Sequence, residues 1–383
     1  MLKKMLMCFC LFAYMLGVSA GTVGVVKDSK KGDVAVENLT RAMALLDNTI
    51  DKCFKGSDLH MCDLYHLGNG RQEGTADVWP YTAAMEAVNG VMEALQALKG
   101  NCPELYAKNM ERYKCLMARL FDNLDYYKGT YTLTSYTQTK EWSVYGVHRS
   151  NTKGTAQVEG IENVYDDQMW LVRELVRAYR NTGEKRYLVE AEYLAYYVID
   201  GWDCTLDADG HENGGITWGP GYNSKHSCSN APIISPLVWL SQIYKDSKDK
   251  TVWRYVAADG KRKSKKISKH DLYLMFAEKV YEWQKRKLMN EKTGCYWDML
   301  GADGKMRYEN VGGKRYRANV PNGGPVGTEF TYNSGTMLCG AVDLLQVTGS
   351  NVYRTDLTQL AKATYLNFRG KARTIDGTAH YPF

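Results

Sequence analysis

Asn163-Val164-Tyr165-Asp166-Asp167-Gln168-Met169-Trp170 opens the segment on which the fold turns. Beyond it, Leu171, Leu175 and Ala178 keep an i, i+4, i+7 spacing with Val172, Val176 and Tyr179 beside them, which predicts an amphipathic helix. Asn181-Thr182-Gly183 stops it. A second helix follows after a short polar link: Tyr187, Ala191, Leu194 and Val198 hold the same period, and Gly201 closes it. The succession of helix, Gly, polar link, Tyr and helix returns around Gly349 and Tyr353, and more loosely around Gly100 and Tyr106. Further helical runs cover 36–53, 80–98, 106–126, 230–245 and 271–288. Strand-like alternation is scarce, and its best candidate, 130–143, reads as a hairpin in a long loop. Successive helical hairpins at a rough period predict an all-α protein of closed or stacked α/α architecture.

The chain has 383 residues, 44% of them hydrophobic, which is enough to bury a large core. A net charge of +6 spread over that length gives no basic arm, so nucleic acid is excluded as a partner. Lys3 and Lys4, the apolar run from Met5 to Leu16, and Val18-Ser19-Ala20 before Gly21 make a secretory signal peptide over 1–20, with 21–383 as one domain. The run is too short to span a bilayer and no later stretch reaches the ~20 apolar residues needed, so the expectation is export to the periplasm or the extracellular space without membrane insertion. The cysteines left are Cys53, Cys62, Cys102, Cys115, Cys204, Cys228, Cys295 and Cys339. Close spacing makes Cys53 with Cys62, and Cys102 with Cys115, conceivable pairs, while the plainer reading is small buried hydrophobes. With no Cys-x-x-Cys and no His-x-x-x-His, no metal site is expected.

Two consecutive Asp side chains start within roughly 5 to 7 Å of each other, and a retaining glycosidase holds its two carboxyls about 5 to 5.5 Å apart. Like charges this close push their proton affinities apart, so one residue type supplies both an ionised carboxylate and a carboxylic acid. Capping competes with this reading, because Asp at a helix start accepts from unpaired N–H groups and suits the positive end of the dipole. A helix needs only one cap, however, and Tyr165 and Trp170 bracket the pair with aromatic rings. Two long loops rich in Gly and aromatics, 203–230 with Gly214-Gly215-Ile216-Thr217-Trp218 and 312–333 ending in Thr331-Tyr332-Asn333, suggest the walls of a cleft. The cluster of Lys261, Arg262, Lys263, Lys265, Lys266 and Lys269 within 259–270 reads as a solvated loop or hairpin insertion, with steering of an anion as the alternative.

Taken in order, Tyr165-Asp166-Asp167-Gln168-Met169-Trp170, Gly214-Gly215-Ile216-Thr217-Trp218, Ser227-Cys228-Ser229-Asn230-Ala231-Pro232 and Thr331-Tyr332-Asn333-Ser334-Gly335-Thr336 resemble glycoside hydrolase family 76, the endo-α-1,6-mannanases. The resemblance runs from about Trp79 to the C-terminus. It implies an (α/α)6 barrel and a retaining double displacement on α-1,6-linked mannan or manno-oligosaccharides, with Asp166 as nucleophile, Asp167 as acid/base and no metal or organic cofactor. Tyr165, Trp79, Gly214, Gly215, Trp218, Asn230, Asp298, Tyr332 and Asn333 are the expected substrate-binding residues, since sugar rings offer apolar faces to aromatics and hydroxyls to amides and carboxylates. A monomer is expected. Thr217 and His226 depart from the family pattern, and the basic segment lengthens a connection that is usually short. A wall-glycan transglycosidase and a non-catalytic mannan-binding protein of the same fold remain as alternatives, the intact Asp pair speaking against the second.

Overall fold

The computed structural model describes residues 29–371, 373–375 and 378–380, so the signal-peptide reading of 1–20 lies outside the described residues. Two compact units partition the described residues: one comprises 29–129 with 145–157 and 177–187, the other 130–144, 158–176 and the described residues from 188 on.

The first unit is built on α1 (Ser29–Cys53), α2 (Val78–Ala97) and α3 (Pro103–Leu124). Tyr81, Met85, Val88, Met92 and Leu95 form the buried stripe of α2, and Met110, Tyr113, Met117, Leu120 and Leu124 that of α3. Pro103 starts α3 at the one place where a missing N–H costs nothing. The Tyr81 hydroxyl donates to the Leu120 carbonyl (3.0 Å), tying the two helices. Just past α1, the Cys62 N–H bonds the Cys53 carbonyl at 2.8 Å, which sets these two buried thiols side by side.

The second unit takes the start of α4 (Tyr165–Thr182), most of α5 (Lys185–Asp200), and α6 (Ile234–Ile243), α7 (Lys269–Leu288), α8 (Thr331–Thr348) and α9 (Asn351–Arg369). The repeated punctuation has one physical cause. Gly183 and Gly349 sit at φ +78° and +68°, a left-handed conformation that ends α4 and α8, and each N–H returns to the last turn, at Tyr179 and Leu345. Ser350 then caps α9. Gly340 lets α8 close on α6, since a Cβ there would lie 2.8 Å from Ile234.

The structure is helix-rich, as expected, and small antiparallel sheets organise the connections between the helices. The hairpin expected over 130–143 is present as Lys128–Thr134 with Thr139–Tyr145. The basic segment is likewise half of a hairpin, Lys250–Val256 with Arg262–Ser268. The stretch 312–333, expected to be loop, instead contains strands: Arg307–Val311 turns through Gly312-Gly313, both at positive φ, into Lys314–Ala318. Asn322–Val326 then pairs with Met299–Ala302, whose other edge takes Lys225–His226. The helix expected over 230–245 begins as a 3-10 turn at Ala231–Ile233. Among the described residues no helix is long and apolar enough to cross a membrane.

Candidate active site

The site lies in the second unit, at the first turn of α4, where Asp166 and Asp167 follow Tyr165. A loop is pressed against this helix start. Gly219 and Gly221 allow it, since a Cβ on either would stand 2.3 Å from the Asn163 carbonyl or 2.5 Å from that of Gly160. At that approach the Trp218 carbonyl accepts the Tyr165 N–H (2.7 Å), satisfying one of the donors a helix start leaves unpaired. Tyr165 itself is buried, its ring tilted against that of Tyr197 at 5.0 Å, so it forms wall rather than open surface. Capping is thus shared: backbone takes the Tyr165 N–H, and Asp166 takes that of Asp167.

Asp166 is part-buried and Asp167 buried, and the Asp167 N–H donates to Asp166 Oδ1 (3.1 Å). Burial raises the Asp166 carboxyl from 3.8 to about 6, while the Cys228 thiol and the Trp218 indole, both polar neighbours that favour its charged form, hold the rise in check. The thiol shows the reciprocal effect: burial first, then the charges of Asp166, Asp298 and Asp167, push Cys228 well up. Burial likewise raises the Tyr332 hydroxyl, with Cys228, Asp298 and Asp166 adding to it. Three carboxylates, the adjacent Asp166 and Asp167 and the remote Asp298, thus share one locality with a thiol and a phenol. Burial also raises Asp298, and a Cβ at Gly327 would meet its side chain at 2.6 Å. Trp218 forms the aromatic side of this locality, at 4.7 Å from the Tyr222 ring and stacked at 5.0 Å on His226. Burial lowers His226 to about 4, leaving a neutral ring that donates to or accepts from Ser224 Oγ (2.9 Å).

The remaining sequence candidates have different placements. Asn230 is fully buried and its amide is spent on backbone: Oδ1 accepts from the Ile216 N–H, and Nδ2 donates to the Ile216 and His226 carbonyls. Gly214 and Gly215, at φ +70° and +77°, let the loop lie flat on Trp283, whose ring a Cβ would meet at 2.6 and 2.4 Å. Asn333 is buried at the start of α8, donating to the Tyr296 carbonyl at 3.3 Å. Trp79 is the second residue of α2 in the first unit and is 40% exposed. Thr217, one of the departures from the family pattern, turns its hydroxyl onto the Gly219 carbonyl (2.9 Å).

Sequence reasoning missed the groups that hold the loops in place. Arg317, only 4% exposed, donates to the Pro220 and Tyr222 carbonyls, clamping the hairpin after Asp298 onto the turn that carries Trp218. Lys225 is buried against Asp203 (2.9 Å) and the Gly214 carbonyl (2.6 Å). A lone Arg or Lys in a polar stretch carries no local signal that it will be buried. Among the described residues, one group of metal-ligating type, Asp207 with Asp209 and His211, is exposed, and Asp207 Oδ1 is occupied in capping its own turn.

Adjacent carboxylates in unequal environments, flanked by an indole and a phenol, belong to the chemistry of glycosidic bonds, and the protein is a glycoside hydrolase. The model of glycosyl hydrolase family 76 matches residues 81–257 and 265–378, and the chain belongs to this family. Among solved structures, the family 76 mannosidase Bt3792 of Bacteroides thetaiotaomicron VPI-5482 superposes with a TM-score of 0.54 at 19% identity, over 90% of this chain and 76% of that one. An inactive variant of the α-1,6-mannanase GH76A of Salegentibacter sp. HEL1_6, with two consecutive aspartates replaced by asparagine and α-1,6-mannotriose bound, matches at TM-score 0.50 and 20% identity, over 87% and 69%. The family 76 α-mannanase BT2949 of Bacteroides thetaiotaomicron gives 0.54 at 15%, over 88% and 73%. At these identities the likeness establishes the fold. No curated protein matches the chain.

Proposed function

We propose that the protein is a retaining, endo-acting hydrolase of α-1,6-mannosidic bonds in a mannan backbone, with an (α/α)6 barrel as its catalytic domain. The observation that carries this reading is the Asp166–Asp167 pair at the start of α4, gathered with Asp298, Tyr332 and Trp218. Asp166, facing thiol and indole donors that favour its charged form, attacks the anomeric carbon. Asp167 protonates the departing glycosidic oxygen. A β-linked glycosyl-enzyme results, and Asp167, now a carboxylate, takes a proton from water as that water attacks the same carbon and releases Asp166. Adjacent carboxyls leave too little room for the water that an inverting enzyme places between base and sugar, with its carboxyls ~6.5 to 9.5 Å apart. The linkage and the internal cleavage rest on the family and on the mannotriose-bound relative. Trp218 and Tyr332 offer stacking surfaces for the sugar, and Asp298 an acceptor for its hydroxyls. Export rests on the segment 1–20 alone.

Proton NMR of the first product from linear α-1,6-mannan tests the reading. The expected product is a short α-manno-oligosaccharide before mutarotation. A β-anomer overturns the mechanism, and mannose as the sole early product overturns internal cleavage.

A further inference from the structure

A second cavity in the same unit, of about 420 Å³, shares no lining residue with the surroundings of the Asp pair described above. It falls between the end of α5, the first hairpin, the basic hairpin and α7. That volume is within the range of about 300 to 1,000 Å³ typical of small-molecule sites. Its part-exposed aromatic rings are Tyr193 and Tyr196 of α5 and Trp253 of the basic hairpin. Two carboxylates line it: Glu212, held by Lys279 (2.9 Å) and the Trp202 indole (2.8 Å), and Asp200, whose Oδ1 accepts from Gln138 Nε2 (2.9 Å) and Thr137 Oγ1 (3.3 Å) and whose Oδ2, without a hydrogen-bond partner among the described residues, is shielded from solvent. Three cations, Lys140, Lys250 and Arg254, complete the wall. Lys140 places its ammonium 3.6 Å from the centre of the Trp142 ring, and both it and Arg254 interact electrostatically with Asp200.

We infer that this cavity is a non-catalytic glycan-binding site that takes one neutral hexopyranose unit. The pieces match what a pyranose presents. Its C–H faces stack on flat aromatic rings, its hydroxyl hydrogens need an acceptor with a spare lone pair, and its hydroxyl oxygens need N–H donors. Trp253 and the two tyrosines supply the first, Glu212 and Asp200 Oδ1 the second, Lys140, Lys250 and Arg254 the third. Asp200 also argues for a neutral sugar over an anionic one, since an acid group on the ligand would be set beside a carboxylate. The placement of Trp253 gives this chain's lengthened connection a use: the basic hairpin carries this ring to the cavity, with Lys265 and Lys279 ammonium groups 4.6 and 5.3 Å from its centre. On a polymer, a second hold on the chain raises the effective concentration of bonds at the Asp pair without changing the chemistry there. That last consequence rests on the function proposed above; the binding itself does not.

The test titrates methyl α-D-mannopyranoside, methyl α-D-glucopyranoside and glucuronic acid against the full chain by saturation-transfer NMR. The proteins compared are the parent, Asp166→Asn, Trp253→Ala and Asp200→Ala. Saturable binding of a neutral pyranoside is expected, kept in Asp166→Asn and weakened at least tenfold in both cavity variants, with the Asp200 variant deciding if Trp253→Ala fails to fold. KM on polymeric mannan should rise several-fold in the cavity variants while cleavage of a short α-1,6-manno-oligosaccharide is unchanged. No saturable binding, binding indifferent to both cavity substitutions, or binding of the uronate alone overturns the site. Pyranoside binding that depends on Trp253 in a protein that leaves mannan intact would keep the site and sink the hydrolase reading instead.

Discussion

Replacing Asp166 by Asn should stabilise the protein as it abolishes turnover, and the size of the gain follows from the carboxyl's environment. Burial raises this group from 3.8 to about 6. Between about pH 4 and 6 the folded chain therefore holds a proton that the unfolded chain has released. A value raised on folding means that stability is greatest on the acid side and falls as the pH climbs, at about 1.4 kcal/mol per pH unit. Above pH 6 the whole penalty is in force, on the order of 3 kcal/mol. Asn carries no charge at any of these pH values and escapes it. Against that gain stands the attraction of a carboxylate to the positive helix end, about 0.3–1 kcal/mol. Asp166→Asn should thus exceed the parent by about 2 kcal/mol at pH 7.5 and match it near pH 4, while losing turnover on linear α-1,6-mannan by about 10⁴-fold or more. Urea unfolding followed by circular dichroism at the two pH values, beside a reducing-end assay, measures both. A variant less stable by about 1 kcal/mol at both pH values, the cost of a missing cap, and still active, would refute the argument and return Asp166 to a structural role.

Three further outcomes are expected. The same carboxyl must be ionised to attack, so kcat/KM should drop about tenfold for each pH unit below about 6, and a flat profile down to pH 4.5 would contradict the assignment. Gly215→Ala combines a positive φ with a Cβ 2.4 Å from Trp283, so thermal unfolding should reveal a loss of more than about 2 kcal/mol, clearly above that of Gly183→Ala, which meets no atom within 4 Å. Arg317→Met leaves the Pro220 and Tyr222 carbonyls without this donor, at about 1–3 kcal/mol each; hydrogen exchange should speed up across 218–223 and turnover should fall with both aspartates present, and unchanged exchange there would show that the clamp is dispensable.

Much of the helical framework was legible in the chain because its causes are local. The apolar period of α4 and α5, the left-handed stops at Gly183 and Gly349 and the cap at Ser350 each depend on residues within a turn or two. The Asp pair announced itself for the same reason: adjacency in sequence guarantees adjacency in space. One local signal was overlooked, the Gly312-Gly313 dipeptide, whose two positive φ angles turn a stretch read as loop into a hairpin. The strand Met299–Ala302 offered no such sign, because its partners come from Lys225–His226 and Asn322–Val326.

The sequence by itself thus determined which segments are helical and where α4 and α8 stop, and that two carboxylates stand together at the start of one helix. Only the tertiary structure decided what surrounds them. Cys228 and Tyr332 come to Asp166 from remote segments, with Asp298 beside both, and it is burial in the folded chain that raises its carboxyl to about 6. The same holds for the amide of Asn230, which sequence alone cannot distinguish from a ligand-binding one and which folding commits to the Ile216 and His226 backbone. It holds again for Lys225 and Arg317, whose polar character suggested surface and whose burial braces the loops. Periodicity and capping are interactions between near neighbours and can be read along a chain; desolvation and the partners of a buried polar group are set by chain that arrives from far away.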